Sequence, residues 1–292
     1  VTGANTVFPS LSRNPHSQAK MGEVCQAERF KSKNSRRFAV EISTTASLHS
    51  QVKTGGVCRA GRFQARTFSR LRKISSSPWA KARADGLSPG QAHLPALSAE
   101  KRDFGEKSAR ICAAEYPSLL AEIRGLADGL KMPFSDLAAF LFGIYNFPPF
   151  QGCTCFAAQG EGGEVIFGRN SDFLTMFEPY DASFHYTISG KHAFVGNSTA
   201  PVQIEDGVNE FGLAAGLTFL WPVVKKPGLN AGMLVRYLLE HCKTVREAIG
   251  ALREFTISSS QTITLADRHG GMAVVECNAE RFEIIIPRPG ER

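Results

Sequence analysis

The 292-residue sequence lacks any apolar run long enough to cross a bilayer. A membrane-spanning helix needs about 18 or more consecutive apolar residues, whereas the apolar stretch 137–145 is too short and the stretch 211–224 is broken by Thr218 and Pro222. The seven cysteines are odd in number and irregularly spaced, and no clear secretory signal opens the sequence. These absences argue against a membrane protein and against a disulfide scaffold, and they favour reduced thiols in the cytoplasm.

Acidic residues are scarce in the first third of the sequence. Residues 1–100 carry 16 Lys and Arg against 5 Asp and Glu, whereas residues 101–292 carry 18 against 22, so the net charge of +7 comes from the first hundred residues. Residues 1–95 are rich in Ser, Arg, Lys and Gly and show neither a helical nor a strand period. We therefore expect a disordered basic extension.

Three interpretations of this extension remain open. It could be a targeting segment, which would be Arg- and Ser-rich and poor in acids. It could bind nucleic acid, because Phe63, Phe68 and Trp79 alternate with arginines. The favoured interpretation is an extension that the folded domain does not need, so a nucleic-acid partner is not expected.

A helical pattern of apolar residues begins near residue 98. Three helices are predicted, over residues 98–113, 117–130 and 135–145. Pro117 suits the first turn of the second helix, and Pro148 and Pro149 end the third helix before a loop. We therefore expect residues 96–152 to form a helical segment ahead of the main domain.

From residue 153 the apolar pattern changes to the period of two that is typical of strands. Strands are predicted over residues 153–159, 164–170, 182–188, 202–208, 212–219, 261–266, 272–276 and 282–286, and helices over residues 230–242 and 244–255. The first two strands form a predicted hairpin around Gly160–Gly163. Strands, a helix pair and further strands together predict an α+β domain in which helices pack on antiparallel sheet.

The sharpest chemical feature is Cys153, which stands between a loop and the first of these strands. Arg169 and Asp172 stand at the end of the second strand, so the hairpin would bring a guanidinium and a carboxylate to the thiol. Positive charge favours a thiolate, and a fixed carboxylate can orient a protonated base. No histidine has a recognisable pairing with Cys153. The other available base is an α-amine with a pKa of ~7.7–8.0, which exists only if the chain is cut before Cys153.

Several ordered motifs resemble the N-terminal-nucleophile cysteine hydrolases, in particular the choloylglycine hydrolase and penicillin (acyl-CoA:6-aminopenicillanic acid) acyltransferase superfamily. The motifs are Cys153-Thr154, Gly168-Arg169-Asn170-Ser171-Asp172-Phe173, the segment 209–219 with its Asn-Glu-x-Gly-Leu pattern, and the segment 265–276. Residues 122–129 are similar to the acyltransferase, peptidase C45-like branch, in which helices precede the nucleophile. The resemblance covers roughly residues 98–286.

The resemblance implies a four-layer αββα N-terminal-nucleophile hydrolase fold with a helical pro-segment and a precursor cut between Gly152 and Cys153. The Cys153 thiol would attack the Gly152 carbonyl, and water would then resolve the thioester. The α-amine released on Cys153 would afterwards act as the general base for its own thiol. The domains implied are the extension 1–95, the pro-segment 96–152 and a hydrolase domain 153–292.

The same resemblance assigns roles to four further residues. Asp172 would hold the α-amine, and Arg169 would contact the nucleophile or a substrate carboxylate. Asn209 is a candidate site residue, although the segment that begins with Asn209 could equally be a turn before a strand. Thr218 stands where relatives carry an oxyanion-hole asparagine or tyrosine, and a hydroxyl or a neighbouring backbone N–H could still donate there.

The implied activity is self-processing hydrolysis or transfer of an acyl group from a small linear amide through an acyl-Cys153 intermediate, without cofactor or metal. Cys153 and Cys155 do not have the spacing of zinc ligands, and Cys155 is expected in the core. The family normally continues into further strands and helices, so we expect the domain 153–292 to be incomplete at its C-terminus. The alternative is a catalytically silent domain with a buried structural thiol, whose basic tail binds nucleic acid or an acidic surface.

Overall fold

A computed structural model of the protein describes residues 36–42, 64–66, 71–75, 97–147, 152–160, 162–172 and 182–288. All of them belong to one compact unit within residues 34–292. The helices are α1 (Ala99–Glu115), α2 (Pro117–Leu130), α3 (Phe134–Gly143), α4 (Ala231–His241) and α5 (Val245–Arg253). The strands are β1 (Arg36–Ile42), β2 (Gln64–Arg66), β3 (Leu71–Ser75), β4 (Gly152–Gln159), β5 (Val165–Asp172), β6 (Ala182–Thr187), β7 (Phe194–Ser198), β8 (Asp206–Asn209), β9 (Ala214–Phe219), β10 (Gln261–Ala266), β11 (Met272–Cys277) and β12 (Phe282–Ile285).

These strands form two sheets. The smaller sheet has the order β2-β1-β5-β4, and the larger sheet has the order β12-β11-β10-β9-β8-β7-β6-β3. Neighbouring strands run antiparallel, apart from β3 and β6, which are parallel. The long meander from β6 to β12 is interrupted by α4 and α5, which connect β9 to β10.

The two sheets bury two different apolar clusters. The larger cluster joins all five helices to the large sheet, with members such as Phe104, Ile123, Leu141, Leu217, Leu238 and Ile263. A smaller cluster lies between the sheets and contains Val165, Phe167, Val208, Ala214 and Ala266. Helices, large sheet and small sheet are therefore stacked in that order, which confirms the α+β architecture; a second helical layer does not occur among the described residues.

Helix boundaries follow from local capping. The side chains of Ser98, Asn230 and Thr244 accept hydrogen bonds from the backbone N–H groups at the starts of α1, α4 and α5, as N-cap residues do. The helices also pack closely, since a Cβ atom at Gly105 of α1 would collide with the backbone of Ala139 in α3. The helical segment expected before Cys153 is therefore an integral part of the helical layer.

Two strand predictions differ from the structure. The strand predicted over 202–208 begins only at Asp206, because Val202 adopts a left-handed conformation with φ of 58° and the chain turns there. Strand β7 was not predicted, because its inward positions include Gly196 and Ser198, which give no apolar alternation. A Cβ at Gly196 would lie 2.8 Å from a methyl of Ile204, so the residue must be small.

The sequence predicts no regular structure within residues 1–95, but three segments of this region are strands. They are β1, β2 and β3, and β1 pairs along the whole length of β5. The alternation of Phe38, Val40 and Ile42 with more polar residues favours a strand but is too short to stand out in a basic sequence. The rest of the expected extension lies outside the described residues.

In the described part of the chain, every helix is too short or too polar to cross a membrane.

Candidate active site

The β4–β5 hairpin brings Cys153 and Arg169 together, as its register requires. Cys153 pairs with Ser171, and Cys155 pairs with Arg169. Successive side chains of a strand point to opposite faces, so both cysteines lie on the face directed at the large sheet, whereas Phe156 on the other face is 51% exposed. Arg169 Nη2 donates a hydrogen bond to Cys153 Sγ across 3.2 Å.

The guanidinium of Arg169 is buried and held on three sides. Its Nη1 donates to Asp206 Oδ2 at 2.9 Å and to Glu205 Oε2 at 3.2 Å, and its Nε donates to the Leu217 carbonyl at 2.7 Å. The large sheet therefore fixes the arginine, which the small sheet carries, in position against the thiol. Arg169 is consequently an internal group of the site.

Glu205 and Asp206 were missed by the sequence reasoning, and both are buried. Glu205 accepts hydrogen bonds from the Thr199 hydroxyl at 2.5 Å and the Ser171 hydroxyl at 3.3 Å, and Asp206 accepts one from Asn197 Nδ2 at 2.7 Å. The sequence did contain a signal for these residues, because two adjacent carboxylates stand among the apolar residues of a strand. Carboxylates in such a position are rarely buried unless a positively charged group pairs with them.

The electrostatics of this cluster leave the thiol protonated in the uncut chain. Burial raises the pKa of Cys153 above its ordinary value, and the opposing effect of Arg169 does not overcome it, since the charge of Glu205 acts in the same direction as burial. Arg169 does favour the thiolate, as expected, but burial and the charge of Glu205 outweigh its effect on the pKa of Cys153. Burial also raises the pKa of Asp206 to about 6, despite its ion pair with Arg169. Activation of the thiol requires a further base.

Asp172 lies at the peptide bond that precedes Cys153. It pairs across the hairpin with Gly152, and a Cβ atom built on Gly152 would lie 3.6 Å from the Asp172 Cβ. Its carboxylate accepts a hydrogen bond from Asn170 Nδ2 at 2.8 Å. A carboxylate in this position is suited to an ammonium group on residue 153.

Thr218 lies at the end of β9, on the face that is directed at the small sheet. Gly216 shares this face, where a Cβ atom would come within 3.1 Å of Cys155 Sγ. The Thr218 hydroxyl is hydrogen-bonded to that of Thr262 on the neighbouring strand. The backbone N–H of Phe219 donates to Cys153 and lowers the pKa of its thiol. The end of β9 thus supplies a backbone donor at Cys153.

The side chain of Asn209 hydrogen-bonds to the β8–β9 turn and to the end of α4, so its assignment to the site stays a prediction. Its Nδ2 donates to the carbonyls of Leu239 and Cys242 at 3.0 and 2.7 Å. Its Oδ1 accepts from the backbone N–H groups of Phe211 and Leu213, both at 3.1 Å. These bonds occupy the whole amide, so Asn209 closes the β8–β9 turn and joins it to the end of α4.

Cys155 and two of the histidines that the structure describes have surroundings unlike those of Cys153. Burial raises the pKa of Cys155 to about 12, which fits a core cysteine. His192 packs against Phe211, and His241 stacks on Tyr237. Among the residues that the structure describes, no group of three or more His, Cys, Asp or Glu side chains is arranged to hold a metal ion.

Comparison with known families identifies the segment that carries most of this cluster. A family model described as acyl-coenzyme A:6-aminopenicillanic acid acyl-transferase matches residues 158–289. The match begins just after Cys153 and includes Arg169, Asp172 and both buried carboxylates. Penicillin V acylase from Pectobacterium atrosepticum is 33% identical over 91 residues, covering 24% of this chain and 24% of that protein.

Solved structures with partial similarity include three amide hydrolases. Penicillin V acylase from Agrobacterium tumefaciens is 24% identical with a TM-score of 0.29, covering 47% of this chain and 39% of that one. The Caenorhabditis elegans ortholog of N-acylethanolamine-hydrolyzing acid amidase is 17% identical with a TM-score of 0.37, covering 48% and 64%. A mutant of the conjugated bile acid hydrolase from Clostridium perfringens is 16% identical with a TM-score of 0.32, covering 47% and 51%.

The chain thus spans about a quarter of the length of the curated relative and less than two thirds of each of these structures. The matched segment nevertheless contains the later motifs in the expected order, and its Arg169 donates a hydrogen bond to the Cys153 thiol on the preceding strand. Through this segment, the chain is similar to the acyl-coenzyme A:6-aminopenicillanic acid acyl-transferase family and to penicillin V acylase.

Proposed function

We propose that the protein is a self-processing cysteine amidohydrolase or acyltransferase that acts on a small linear amide through an acyl-Cys153 intermediate. The observation that carries the proposal is the hydrogen bond from Arg169 to Cys153 Sγ, in a cluster whose carboxylates cancel the charge of the arginine. Such a thiol is positioned but not activated. The chemistry therefore needs a base that the uncut chain does not provide.

The first step of the proposal creates that base. Cys153 Sγ attacks the carbonyl carbon of Gly152, the C–N bond breaks, and the nitrogen of residue 153 takes the proton that the thiol loses. Water then hydrolyses the thioester, which leaves a carboxylate on Gly152 and a free thiol on Cys153. The new α-amine has an ordinary pKa of ~7.7–8.0 and can accept the thiol proton at neutral pH.

In the second step the mature thiolate attacks the acyl carbon of a substrate amide. The α-ammonium group returns its proton to the leaving nitrogen, so an amine departs and the acyl group remains on Cys153 as a thioester. Attack by water completes hydrolysis, and attack by an acceptor amine completes transfer. Asp172 holds the α-amine, and the Phe219 N–H is the candidate donor to the developing oxyanion, a role for which one donor contributes roughly 10²–10³ in rate.

The relatives indicate the class of substrate. Their names specify penicillin V, conjugated bile acids and N-acylethanolamines, each of which contains an acyl group on a linear amide nitrogen. We propose a small acyl amide of this class for the present chain, with residues 96–152 as the pro-segment and residues from Cys153 onward as the catalytic part. The free thiols of Cys112, Cys242 and Cys277 support the reducing environment of the cytoplasm as the proposed location.

Intact-mass measurement tests the proposal directly. We expect the purified full-length chain to convert into two fragments, the second beginning at Cys153, and we expect Cys153→Ala to abolish the cut. Cys155→Ala is the matched control, because it removes a thiol from the same face of the same strand and should leave the cut intact.

An uncut wild-type chain, or a Cys153→Ala variant that is still cut, would contradict self-processing. The first result would favour the alternative of a catalytically silent domain. Penicillin V, a conjugated bile acid and an N-acylethanolamine are the substrates to offer first. The acylated fragment should show the mass of the acyl group on Cys153 before hydrolysis.

A further inference from the structure

A cavity of about 730 Å³ lies between α1, the end of α5 and the turn that joins β11 to β12. Its volume is within the range of about 300–1,000 Å³ that is usual for small-molecule sites. None of the residues that line the cavity belongs to the cluster around Cys153. The cavity is therefore a second candidate site, separate from the one described above.

Hydrogen bonds fix the walls of this cavity. The backbone N–H and the hydroxyl of Thr256 donate to the carboxylate of Glu115 at 3.0 and 2.6 Å, which joins the segment after α5 to the end of α1. The Gly228 N–H donates at 3.2 Å to the hydroxyl of Ser108, a buried residue of α1. The cavity is therefore preformed, and a preformed site loses less entropy when it binds a ligand.

Much of the lining is apolar. Leu252 and Ile257 are 0% and 6% exposed, and they belong to the large apolar cluster. Phe255 and Phe282 pack against that cluster, and Ile111 of α1 lies in the opposite wall. A surface of this kind binds the apolar body of a ligand through the hydrophobic effect, which contributes roughly 25 cal/mol for each Å² of apolar surface removed from water.

The polar part of the lining is basic. Four of the lining side chains carry a positive charge, Lys107, Lys226, Arg253 and Arg281, whereas one, Glu280, carries a negative charge. Glu280 is paired with Lys226 at 2.9 Å, and both side chains are more than half exposed. Exposed ion pairs contribute little to stability. The lining as a whole therefore favours an anionic ligand over a neutral or cationic one.

Arg253, in the last turn of α5, is the basic group best placed to bind the anion. Its guanidinium lies over the ring of Phe282, 5.7 Å from the ring centroid. Within the part of the chain that the structure describes, no carboxylate forms an ion pair with Arg253, whereas Lys107 is paired with Asp103 at 2.7 Å. A guanidinium matches the planar geometry of a carboxylate, so an acid group and an apolar surface meet at this point.

We propose that this cavity binds a small apolar carboxylate, whose acid group pairs with Arg253 and whose apolar body lies along Phe282 and Ile257. Hydrolysis of an acyl amide releases an acid of this kind, so the expected ligand is the acid product and not the amide substrate. The inference rests on the proposed function only for the source of the acid. Binding itself requires neither the cut nor the reaction.

Isothermal titration calorimetry with octanoate tests the site. Octanamide has the same chain without the charge, and acetate has the charge without the chain. We expect octanoate to bind, and both other compounds to bind at least about tenfold more weakly, because each lacks one half of the recognition. The titration is made on the wild-type chain and on Cys153→Ala, so that its outcome is separate from the success or failure of self-processing. Absence of octanoate binding, or equal affinity for octanamide, would overturn the proposal.

Substitutions in the lining locate the bound acid. Arg253→Met removes the charge and keeps a long side chain, so octanoate binding should weaken about tenfold. Arg246→Met is the matched control, because it removes another exposed arginine of α5 that does not line the cavity. Ala279→Trp fills the cavity from the β11–β12 turn and should also weaken binding, which keeps the test valid if Arg253→Met does not fold. Unchanged affinity in folded Arg253→Met or Ala279→Trp, or an equal loss in Arg246→Met, would overturn the proposal.

Discussion

Two buried arginines, Arg169 and Arg236, are each bound by two carboxylates, yet they lie in different environments. Arg169 lies between the sheets, bound to Glu205 and Asp206, and one of its nitrogens reaches Cys153. Arg236 lies between helices, bound to Glu122 and Glu240, and its remaining nitrogen donates to the Val202 carbonyl. The same ionic arrangement therefore positions a reactive group in one place and joins two segments of the chain in the other.

The two guanidinium groups differ in the hydrogen-bond partner that each has besides its two carboxylates. At Arg236 every contact is with a group that does not react, and the cluster joins α2 to α4. At Arg169 one contact is with a thiol, so any change in the carboxylates changes the potential at that thiol. Replacing one arginine at a time should therefore distinguish effects on the free energy of unfolding from effects on the reactivity of Cys153.

The largest effect is expected from removing each arginine. Arg236→Met and Arg169→Met both leave two buried carboxylates without their partner, which costs about 3–5 kcal/mol. Both should lower the free energy of unfolding measured with urea. Only Arg169→Met should also abolish the cut and the labelling of Cys153 by iodoacetamide under conditions in which the variant is folded. Loss of the cut in folded Arg236→Met would show that the two clusters are not functionally distinct.

The second effect is a pH dependence carried by Asp206. Its pKa rises from 3.8 to about 6 on folding, so between these values the folded protein binds more protons than the unfolded chain. Its contribution therefore makes stability fall as pH rises through about 4 to 6 and stay level above that range. The total change is about 3 kcal/mol at most. Urea unfolding across this pH range should show a smaller decline in Asp206→Asn than in wild type.

Glu240 provides the contrasting titration in the Arg236 cluster. Burial acts to raise its pKa, but Arg236 and the Tyr116 hydroxyl outweigh burial, and the net pKa is lowered. Its contribution to stability is therefore present above its ordinary pKa of 4.5 and is lost as pH falls below that value. Opposite slopes of stability against pH in Asp206→Asn and Glu240→Gln, each relative to wild type, would confirm the comparison.

The smallest effect is expected at Glu122, whose side chain is 16% exposed. Glu122→Gln keeps a hydrogen-bond acceptor for Arg236 and removes a charge, so we expect a loss of about 1–2 kcal/mol. Size-exclusion chromatography of the cut protein should still show associated fragments, with earlier dissociation in urea than for wild type. Glu106→Gln on the exposed face of α1 is the matched control and should change nothing measurable.

Most elements after residue 97 were predictable, because the helices have clear apolar stripes and the longer strands alternate. The exceptions have physical reasons. Strand β7 contains Gly196, whose position must be small, and the buried polar residue Ser198, so its pattern is not apolar. The predicted strand over 202–208 includes Val202, which lies in a turn, and Ile204, and both are buried but precede the strand.

The candidate site was only partly predictable. The hairpin spacing placed Arg169 and Asp172 near Cys153, since strand register is local information. Glu205 reaches Arg169 from 36 positions away, and such a contact depends on how two sheets stack, which no local spacing reveals. Asn209 was assigned through a motif, but the motif is a turn in which the amide satisfies four backbone groups.

The two sheets approach each other closely at Gly216. A Cβ atom there would lie 2.8 Å from the Phe167 ring and 3.1 Å from Cys155 Sγ, so the two sheets leave no passage at this point. Beyond it, Thr218 and Phe219 are partly exposed, as is Cys153. A side chain at residue 216 would therefore force the two sheets apart beside Cys155, two positions along the strand from Cys153.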